Sequence, residues 1–177
     1  AFSGSVPASV PRDIYAYLTR KLRKRQATVM IDASGDLLKE SIKAKPFLIK
    51  PNVFELAGLF GLEGELSTDT IVDLGKELLG KGINTIAVSR GQNGAVFLDH
   101  NRVFTVSGIQ IQAHSTVGSG DAMLAALAYG LDTELPYEDS AKLAIAASAG
   151  ACTTIGTKPP ARELVDELVK EVNLTYL

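Results

Sequence analysis

Short apolar segments alternate with amphipathic helical segments along most of this chain, and this alternation restricts its fold more than any other feature. Apolar segments end at Asp32, Lys50 and Ser89, and stripes of apolar residues at helical spacing cover 13–25 and 68–79. Strands that are apolar on both faces are typical of parallel sheets with helices packed on both sides. The sequence therefore predicts an α/β fold, a doubly wound and mostly parallel sheet flanked by helices.

Periodicity and capping residues give the expected element boundaries. Helices are expected at 13–25, from Asn52 through Leu59, and at 68–79, 121–131, 138–152 and 162–172. Strands are expected at 28–32, 46–50, 85–89, 95–98 and 102–106, with a further extended piece around Ile109 and Ile111. Ligands of such sheets bind beyond the carboxyl ends of the strands, which directs attention to Asp32, Lys50, Ser89 and loop 115–121.

Composition disfavours several classes of protein. The chain is 46% apolar and 21% charged, which is typical of a globular domain. Its net charge of −2 provides no basic field for nucleic acid, and no stretch approaches the roughly 20 apolar residues that span a bilayer. Cys152 is the single cysteine, so an internal disulfide is impossible. We expect a cytoplasmic protein with no nucleic-acid or membrane partner.

The segment 115–121 carries the strongest chemical signal. Gly118 and Gly120 remove side chains from the backbone, so that amide groups can approach a ligand closely. The loop leads into a helix whose first N–H groups and dipole favour an anion. Asp121 stands at the start of this helix, where a carboxylate is stabilised by the dipole. Beside a bound phosphate it could also accept the proton of an attacking hydroxyl, and the residues alone leave both interpretations open.

A dinucleotide-binding domain is a poor alternative, because no Gly-x-Gly-x-x-Gly sequence occurs. Residues 115–128 instead resemble the C-terminal signature of the PfkB-type, ribokinase-like carbohydrate kinases. The resemblance implies that the enzyme uses ATP and that Asp121 is the catalytic base. It also implies that Gly118, Ser119 and Gly120 form the anion hole for the transferred phosphoryl group, with Gly120 also contacting the nucleotide.

Residues 50–55, Lys-Pro-Asn-Val-Phe-Glu, resemble a second element of this family. There the resemblance implies that Asn52 and Glu55 organise Mg²⁺, directly or through water, and that Lys50 contacts the nucleotide phosphates. Mg²⁺ keeps several of its waters and needs few protein oxygens. The residues themselves are also consistent with a capped helix that carries a solvated first-turn acid.

Three further segments resemble the family's nucleotide site, although they also have ordinary structural explanations. Residues 89–94 are similar to its Ser-x-Gly-x-x-Gly turn, and segments 147–151 and 156–157 to the walls of its adenine pocket. A turn between strands and a helix packed on another helix are the alternatives. The implied nucleotide contacts are Ser89, Gly91, Gly94, Ser148 and Gly156.

The opening Ser3-Gly4-Ser5-Val6-Pro7 resembles a strand end that touches the sugar phosphate in the phosphofructokinase and tagatose-6-phosphate kinase branch, and it places Ser5 at the substrate. The implied reaction is phosphoryl transfer from ATP to a phosphorylated ketohexose. A kinase for a free sugar or nucleoside, or a non-catalytic ATP-binding module, remains an alternative. Family members are longer and often homodimeric. We therefore expect a partial ribokinase-like domain that lacks the N-terminal strands and β lid and has little activity alone.

Overall fold

The structure is a computed structural model that describes residues 1–177. Seven helices occur along the chain: α1 Ile14–Arg23, α2 Gly35–Lys43, α3 Val53–Leu59, α4 Thr68–Gly80, α5 Ser119–Asp132, α6 Tyr137–Cys152 and α7 Arg162–Leu168. The seven strands are β1 Phe2–Ser3, β2 Met30–Asp32, β3 Leu48–Ile49, β4 Thr85–Ser89, β5 Ala95–Asp99, β6 Val103–Val106 and β7 Leu174–Tyr176. Short 3₁₀ turns lie at Gly91–Asn93 and Val169–Glu171.

The strands form one mixed sheet in which spatial order follows chain order from β1 to β7. The pairs β1–β2, β2–β3 and β3–β4 are parallel, and β6 pairs with β7 in antiparallel orientation. The predicted α/β class with a mostly parallel sheet flanked by helices is confirmed.

Several predicted boundaries were wrong. The backbone around Ile109 and Ile111 forms no strand, and β7 was not predicted. Strand β7 is short and its side chains are mostly exposed, so its own residues carry no apolar period; it exists because β6 offers backbone partners. The predicted strands 28–32 and 46–50 contain only three and two paired residues. Helix 162–172 ends at Leu168 in a 3₁₀ turn, and α5 begins two residues before Asp121.

Two compact units share the chain. The first unit comprises residues 1–89 and 96–103, and the second comprises residues 90–95 and 104–177. No helix combines the length and the apolar composition that crossing a bilayer would require. The interpretation of residues 1–177 as one partial domain stays a prediction.

The first unit has an apolar core built by its parallel strands and the helices that connect them. Ile31, Ile49 and Ile86, from three successive strands, are each fully buried. Helices α2 and α4 contribute Leu38, Leu78 and further leucines to the same cluster. A parallel sheet covered by helices buries both faces of its strands. Only the strand ends remain available for polar side chains.

In the second unit, helices α5 and α6 pack closely because small residues lie between them. A Cβ atom on Gly130 would lie 2.1 Å from Ser140 Oγ, and Gly130 is buried. Gly150 of α6 has a similar role, since a Cβ there would lie 2.9 Å from Pro160 Cβ. The small residue at Gly150 of α6 is therefore explained by packing within the second unit.

Candidate active site

The carboxyl ends of β2, β3 and β4 bring the predicted residues of the first unit together. Strand register aligns Ile31 with Ile49 and Ile49 with Ile86, so the residues that follow them lie at one edge of the sheet. The backbone pairing continues beyond the named strands as a bridge between Asn52 and Ser89. This edge is where ligands of α/β sheets bind.

Lys50 and Asp32 form a buried ion pair at this edge. The Lys50 Nζ lies 2.9 Å from Asp32 Oδ2, and the two side chains are 5% and 16% exposed. An ammonium group has three N–H donors, and the only protein acceptor of Lys50 Nζ is Asp32. Lys50 therefore keeps donor capacity for a ligand, although the sequence did not indicate that it would be paired with a carboxylate.

Asn52 and Glu55 cap helix α3 reciprocally. Asn52 Oδ1 accepts a hydrogen bond from the Glu55 amide, and Glu55 Oε2 accepts one from the Asn52 amide, both at 2.8 Å. This capping box confirms the predicted cap at Asn52. Both side chains also line a cavity of about 380 Å³ together with Lys39 and the exposed ring of Phe54. Capping leaves Glu55 Oε1 available to a cation.

The environment of Glu55 favours its neutral form. Burial raises the pKa of the Glu55 carboxyl above its ordinary value, and the hydrogen bond from the Asn52 amide opposes this rise. The negative charge of Asp32 adds to the increase, and Lys50 lowers the pKa. A bound cation would remove the penalty on the charged carboxylate.

The raised pKa predicts that Glu55→Gln stabilises the metal-free protein at neutral pH. Above the unfolded-state pKa of about 4.3, native Glu55 holds its proton more tightly than the unfolded chain does. Stability is therefore lost as pH rises through the folded-state pKa. Glutamine keeps an oxygen that can accept the Asn52 amide but cannot ionise. We expect a higher Tm than the wild type at pH 7 in EDTA and no difference below pH of about 4.

Two controls make this prediction specific. Glu55→Ala removes the acceptor of the capping box, so it should lower Tm at both pH values. Asp69→Asn removes an exposed first-turn carboxylate of α4 and should lower Tm slightly at pH 7, because the helix dipole stabilises that charge. A Glu55→Gln variant that is less stable than the wild type at pH 7 would contradict a raised pKa of Glu55 in the folded protein.

Few protein oxygens are available to bind Mg²⁺ at this edge of the sheet. The structure contains no cluster of three or more His, Cys, Asp or Glu side chains that could enclose a metal ion. Asn52 and Glu55 nevertheless supply an amide oxygen and a carboxylate beside a cavity. Mg²⁺ typically binds one or two carboxylates plus phosphate oxygens and water. The donor set is therefore suitable for Mg²⁺ that arrives with a nucleotide.

In the second unit, the predicted anion loop leads into α5 through a left-handed glycine. Gly118 is the N-cap residue with φ 86°, and the Ser119 hydroxyl donates to the Thr116 carbonyl at 2.8 Å. The Gly120 amide donates no hydrogen bond to the protein. Asp121 is exposed in the first turn of α5. An open amide and an exposed carboxylate thus lie next to each other at the positive end of a 14-residue helix.

A second loop of the same unit lies beside Gly118. A Cβ on Gly118 would lie 3.8 Å from the Cα of Thr157. Val117 and Ile155 are 63% and 79% exposed, and Gly156, with φ 71°, has open space around it. Exposed apolar side chains beside the predicted anion loop are suited to the flat face of a base. The sequence singled out Gly156 but gave no signal for Ile155.

The two predicted glycines of turn 89–94 differ in their surroundings. Gly91 is exposed, with φ 58° and nothing near its missing Cβ. Gly94 is buried, with φ 82°, and a Cβ there would lie 2.0 Å from the Val106 carbonyl oxygen. Packing against the backbone is therefore sufficient to explain Gly94, whereas Gly91 is open to a ligand. Ser148 is half-buried on α6.

Ser5 lines a separate cavity of about 250 Å³ in the first unit. Arg12, Ser34 and Asp36 also line it, so a guanidinium, hydroxyls and a carboxylate border one space. Arg12 Nη1 donates weakly to the Val6 carbonyl at 3.4 Å. Sequence reasoning did not find Arg12, because nothing in the residues around it indicates that the chain folds back there.

The family model described as pfkB family carbohydrate kinase matches residues 1–164. The chain belongs to the pfkB family of carbohydrate kinases. The loop 115–121 and the capped helix after Lys50, on which the resemblance was based, lie within the matched residues.

Relatives of this pfkB-family chain include sugar-phosphate kinases. It is 31% identical over 175 residues to a 1-phosphofructokinase of Bacillus subtilis, covering 99% of the chain and 57% of the relative. A D-tagatose-1-phosphate kinase of Bacillus licheniformis is 32% identical over 175 residues, with the same coverage of 99% and 57%.

A solved structure also resembles this pfkB-family chain. Phosphofructokinase-2 from Escherichia coli, in complex with substrates and products, superposes with a TM-score of 0.88 at 26% identity, over 96% of the chain and 55% of that structure. The chain spans slightly more than half the length of these relatives.

Proposed function

We propose that the complete protein transfers the γ-phosphoryl group of ATP to a hydroxyl group of a phosphorylated ketohexose. One observation at the start of α5 carries this proposal. The Gly120 amide, which donates to no protein atom, lies next to the exposed Asp121 carboxylate. An anion-binding helix end with a carboxylate beside it suits a reaction that needs both an anion hole and a base. Membership of the pfkB family supports the same reading.

In the proposed reaction, the Asp121 carboxylate takes the proton of the acceptor hydroxyl. The hydroxyl oxygen forms a bond to the γ-phosphorus, the bond to the bridging oxygen breaks, and ADP leaves with that oxygen. The amides of residues 118–120 stabilise the charge on the transferred group. Asn52 and Glu55 would hold Mg²⁺, directly or through water, and the bound ion would supply positive charge to the phosphate oxygens.

In this proposal, Lys50 and several hydroxyl and backbone groups hold the nucleotide. Lys50 would contact the phosphates, because its buried ammonium retains donors that no protein acceptor uses. The remaining proposed contacts are Ser89, Gly91, Gly94, Gly120, Ser148 and Gly156. Gly94 would contribute through its backbone, since its side-chain position is closed by neighbouring backbone atoms.

A phosphorylated acceptor is favoured by the cavity around Ser5. Its guanidinium and hydroxyl groups suit a phosphate, and the Asp36 carboxylate suits the hydroxyls of a sugar. Two relatives are named for acceptors of this class, 1-phosphofructokinase and D-tagatose-1-phosphate kinase. Fructose 1-phosphate, fructose 6-phosphate and the tagatose phosphates all belong to this class of acceptor.

An acceptor panel tests the proposal on the complete polypeptide that contains this sequence. MgATP is offered with fructose 1-phosphate, fructose 6-phosphate, both tagatose phosphates, and free sugars and nucleosides, and ADP release is followed. We expect turnover with at least one ketohexose phosphate and none with free acceptors. Turnover restricted to free sugars or nucleosides would overturn the choice of acceptor.

A second candidate applies to the 177-residue chain alone, which spans 57% of its Bacillus subtilis relative. Such a chain would bind MgATP without transferring phosphate, because acceptor positioning and water exclusion need a closed site. Calorimetry with MgATP alongside the acceptor panel separates binding from turnover.

A cytoplasmic location and a homodimeric complete protein belong to the same proposal. The single cysteine is consistent with a reducing compartment, and homodimers are implied by the family resemblance. Sedimentation equilibrium of the complete polypeptide tests the dimer.

A further inference from the structure

The ion pair between Lys50 and Asp32 is largely buried at the carboxyl edge of the sheet. Lys50 is 5% exposed and Asp32 is 16% exposed, and their charged atoms lie 2.9 Å apart. Burying such a pair costs desolvation energy that apolar residues of similar volume would avoid. A contribution to stability is therefore a poor explanation for the pair. We ask instead why the Lys50 ammonium is held at this position.

The backbones of Lys50 and Asp32 are both held by hydrogen bonds to a neighbouring strand or its end. The Lys50 amide donates to the Ile31 carbonyl at 3.0 Å, and the Asp32 carbonyl accepts from the Gly4 amide at 2.9 Å. Asp32 is also in register with Ser3 on β1. The two side chains thus start from backbones on adjacent strands whose positions are fixed by pairing. The long, flexible lysine side chain is the one part that requires a partner to hold it.

Donor capacity shows what the held ammonium can do. Asp32 accepts one of its three N–H groups, and no other protein atom accepts the rest. Unmet donors on a buried cation are costly unless a ligand supplies oxygen atoms. Lys50 is the buried cation of the core, whereas every carboxylate is at least partly exposed.

We propose that Asp32 is a positioning residue for phosphoryl transfer, which holds the Lys50 ammonium at the carboxyl edge of the sheet with two donors directed to phosphate oxygens. This inference rests on the function proposed above. Asp32 acts through Lys50 and touches no reacting atom. Its loss should therefore impair the stabilisation of the transition state more than the binding of the nucleotide, because its own negative charge opposes phosphate binding.

The experiment compares four variants of the complete polypeptide under MgATP kinetics. Asp32→Asn removes the charge that holds Lys50, and Asp32→Glu keeps the charge but lengthens the side chain by one methylene. Lys50→Met and the double variant Asp32→Asn/Lys50→Met complete a double-mutant cycle. Asp73→Asn, which neutralises an exposed carboxylate on α4 of the same unit, is the matched control.

For both Asp32 variants we expect kcat to fall by about 10- to 100-fold, while KM for MgATP stays unchanged or decreases. In the Lys50→Met background, Asp32→Asn should cost no further activity. Asp73→Asn should behave as the wild type. A merely structural role would raise KM together with the fall in kcat and would shift both in the Lys50→Met background as well.

Asp32→Asn leaves a buried ammonium without its partner and could fail to fold, which circular dichroism detects. Asp32→Glu then decides, since it keeps the charge partner of Lys50 but displaces the ammonium by the added methylene. Wild-type kcat in Asp32→Glu, or equal losses with and without Lys50, overturns the positioning role. Absence of turnover in the wild type with every acceptor would instead overturn the proposed function, so the two failures are distinguishable.

Discussion

Replacement of Asp121 by asparagine is expected to lower kcat by about 10²- to 10⁴-fold. The amide has nearly the same shape and can still sit in the first turn of α5, but it cannot accept the proton of the acceptor hydroxyl. Nucleotide affinity should be unchanged or higher, because a negative charge beside the phosphates is removed. Steady-state kinetics with the best acceptor and calorimetry with MgATP give the two values.

Asp132, the last residue of the same helix, provides the matched control. Asp132→Asn changes the net charge equally but lies at the opposite end of α5, and it should leave kcat within about twofold. If Asp121→Asn kept more than about a tenth of wild-type turnover, general-base catalysis by Asp121 would be excluded. A loss of nucleotide binding in parallel with kcat would indicate a distorted helix start.

Gly94→Ala is expected to destabilise the protein by at least about 4 kcal/mol. The residue has φ 82° and ψ −133°, a conformation that L-residues with a Cβ essentially avoid. An added Cβ would also lie 2.0 Å from the Val106 oxygen and 2.5 Å from the Gly108 amide nitrogen. Backbone atoms cannot rotate away as a flexible side chain can. With typical stabilities of about 5–15 kcal/mol, much of the variant should be unfolded or insoluble.

Gly91→Ala controls for the backbone conformation alone. Gly91 belongs to the same turn and has φ 58°, but nothing lies within 4 Å of its missing Cβ. Only left-handed strain applies, at about 1–2 kcal/mol. Urea denaturation of both variants gives the comparison. Equal urea midpoints for Gly91→Ala and Gly94→Ala would show that the close backbone contact at Gly94 does not affect stability.

The sequence predicted the parts of the fold that depend on burial. Helix α4 and strand β4 agree with their predicted positions, because each shows an apolar pattern over several residues. Strand β7 could not be found in this way. Its residues Leu174–Tyr176 are mostly exposed, and their extended form follows from pairing with Val106 and its neighbours on β6. Pairing partners are set by topology, which single segments do not encode.

In the candidate site, too, features that depend on one short segment were predicted, and features that depend on contacts between distant segments were not. The cap at Asn52 was predicted from the residue type at the start of the helix, whereas the reciprocal bond from Glu55 was not predicted. The partner of Lys50 lies 18 residues earlier on another strand, so that Asp32 could be noticed only as a second strand end. Similarly, the predicted site residue Gly94 has a packing role that becomes visible only once Val106 and Gly108 are positioned against it.

The order of the strands also has a consequence for how the chain is made. Each strand neighbours the one that precedes it in the chain, from β1 to β7. During synthesis the N-terminal part emerges first, so every new strand meets an edge that already exists. Up to β6, pairing then closes only the loop between consecutive strands, which keeps the entropic cost of each step small. This part of the nascent sheet can grow one strand at a time, whereas β7 can pair with β6 only after helices α5 to α7 have left the ribosome.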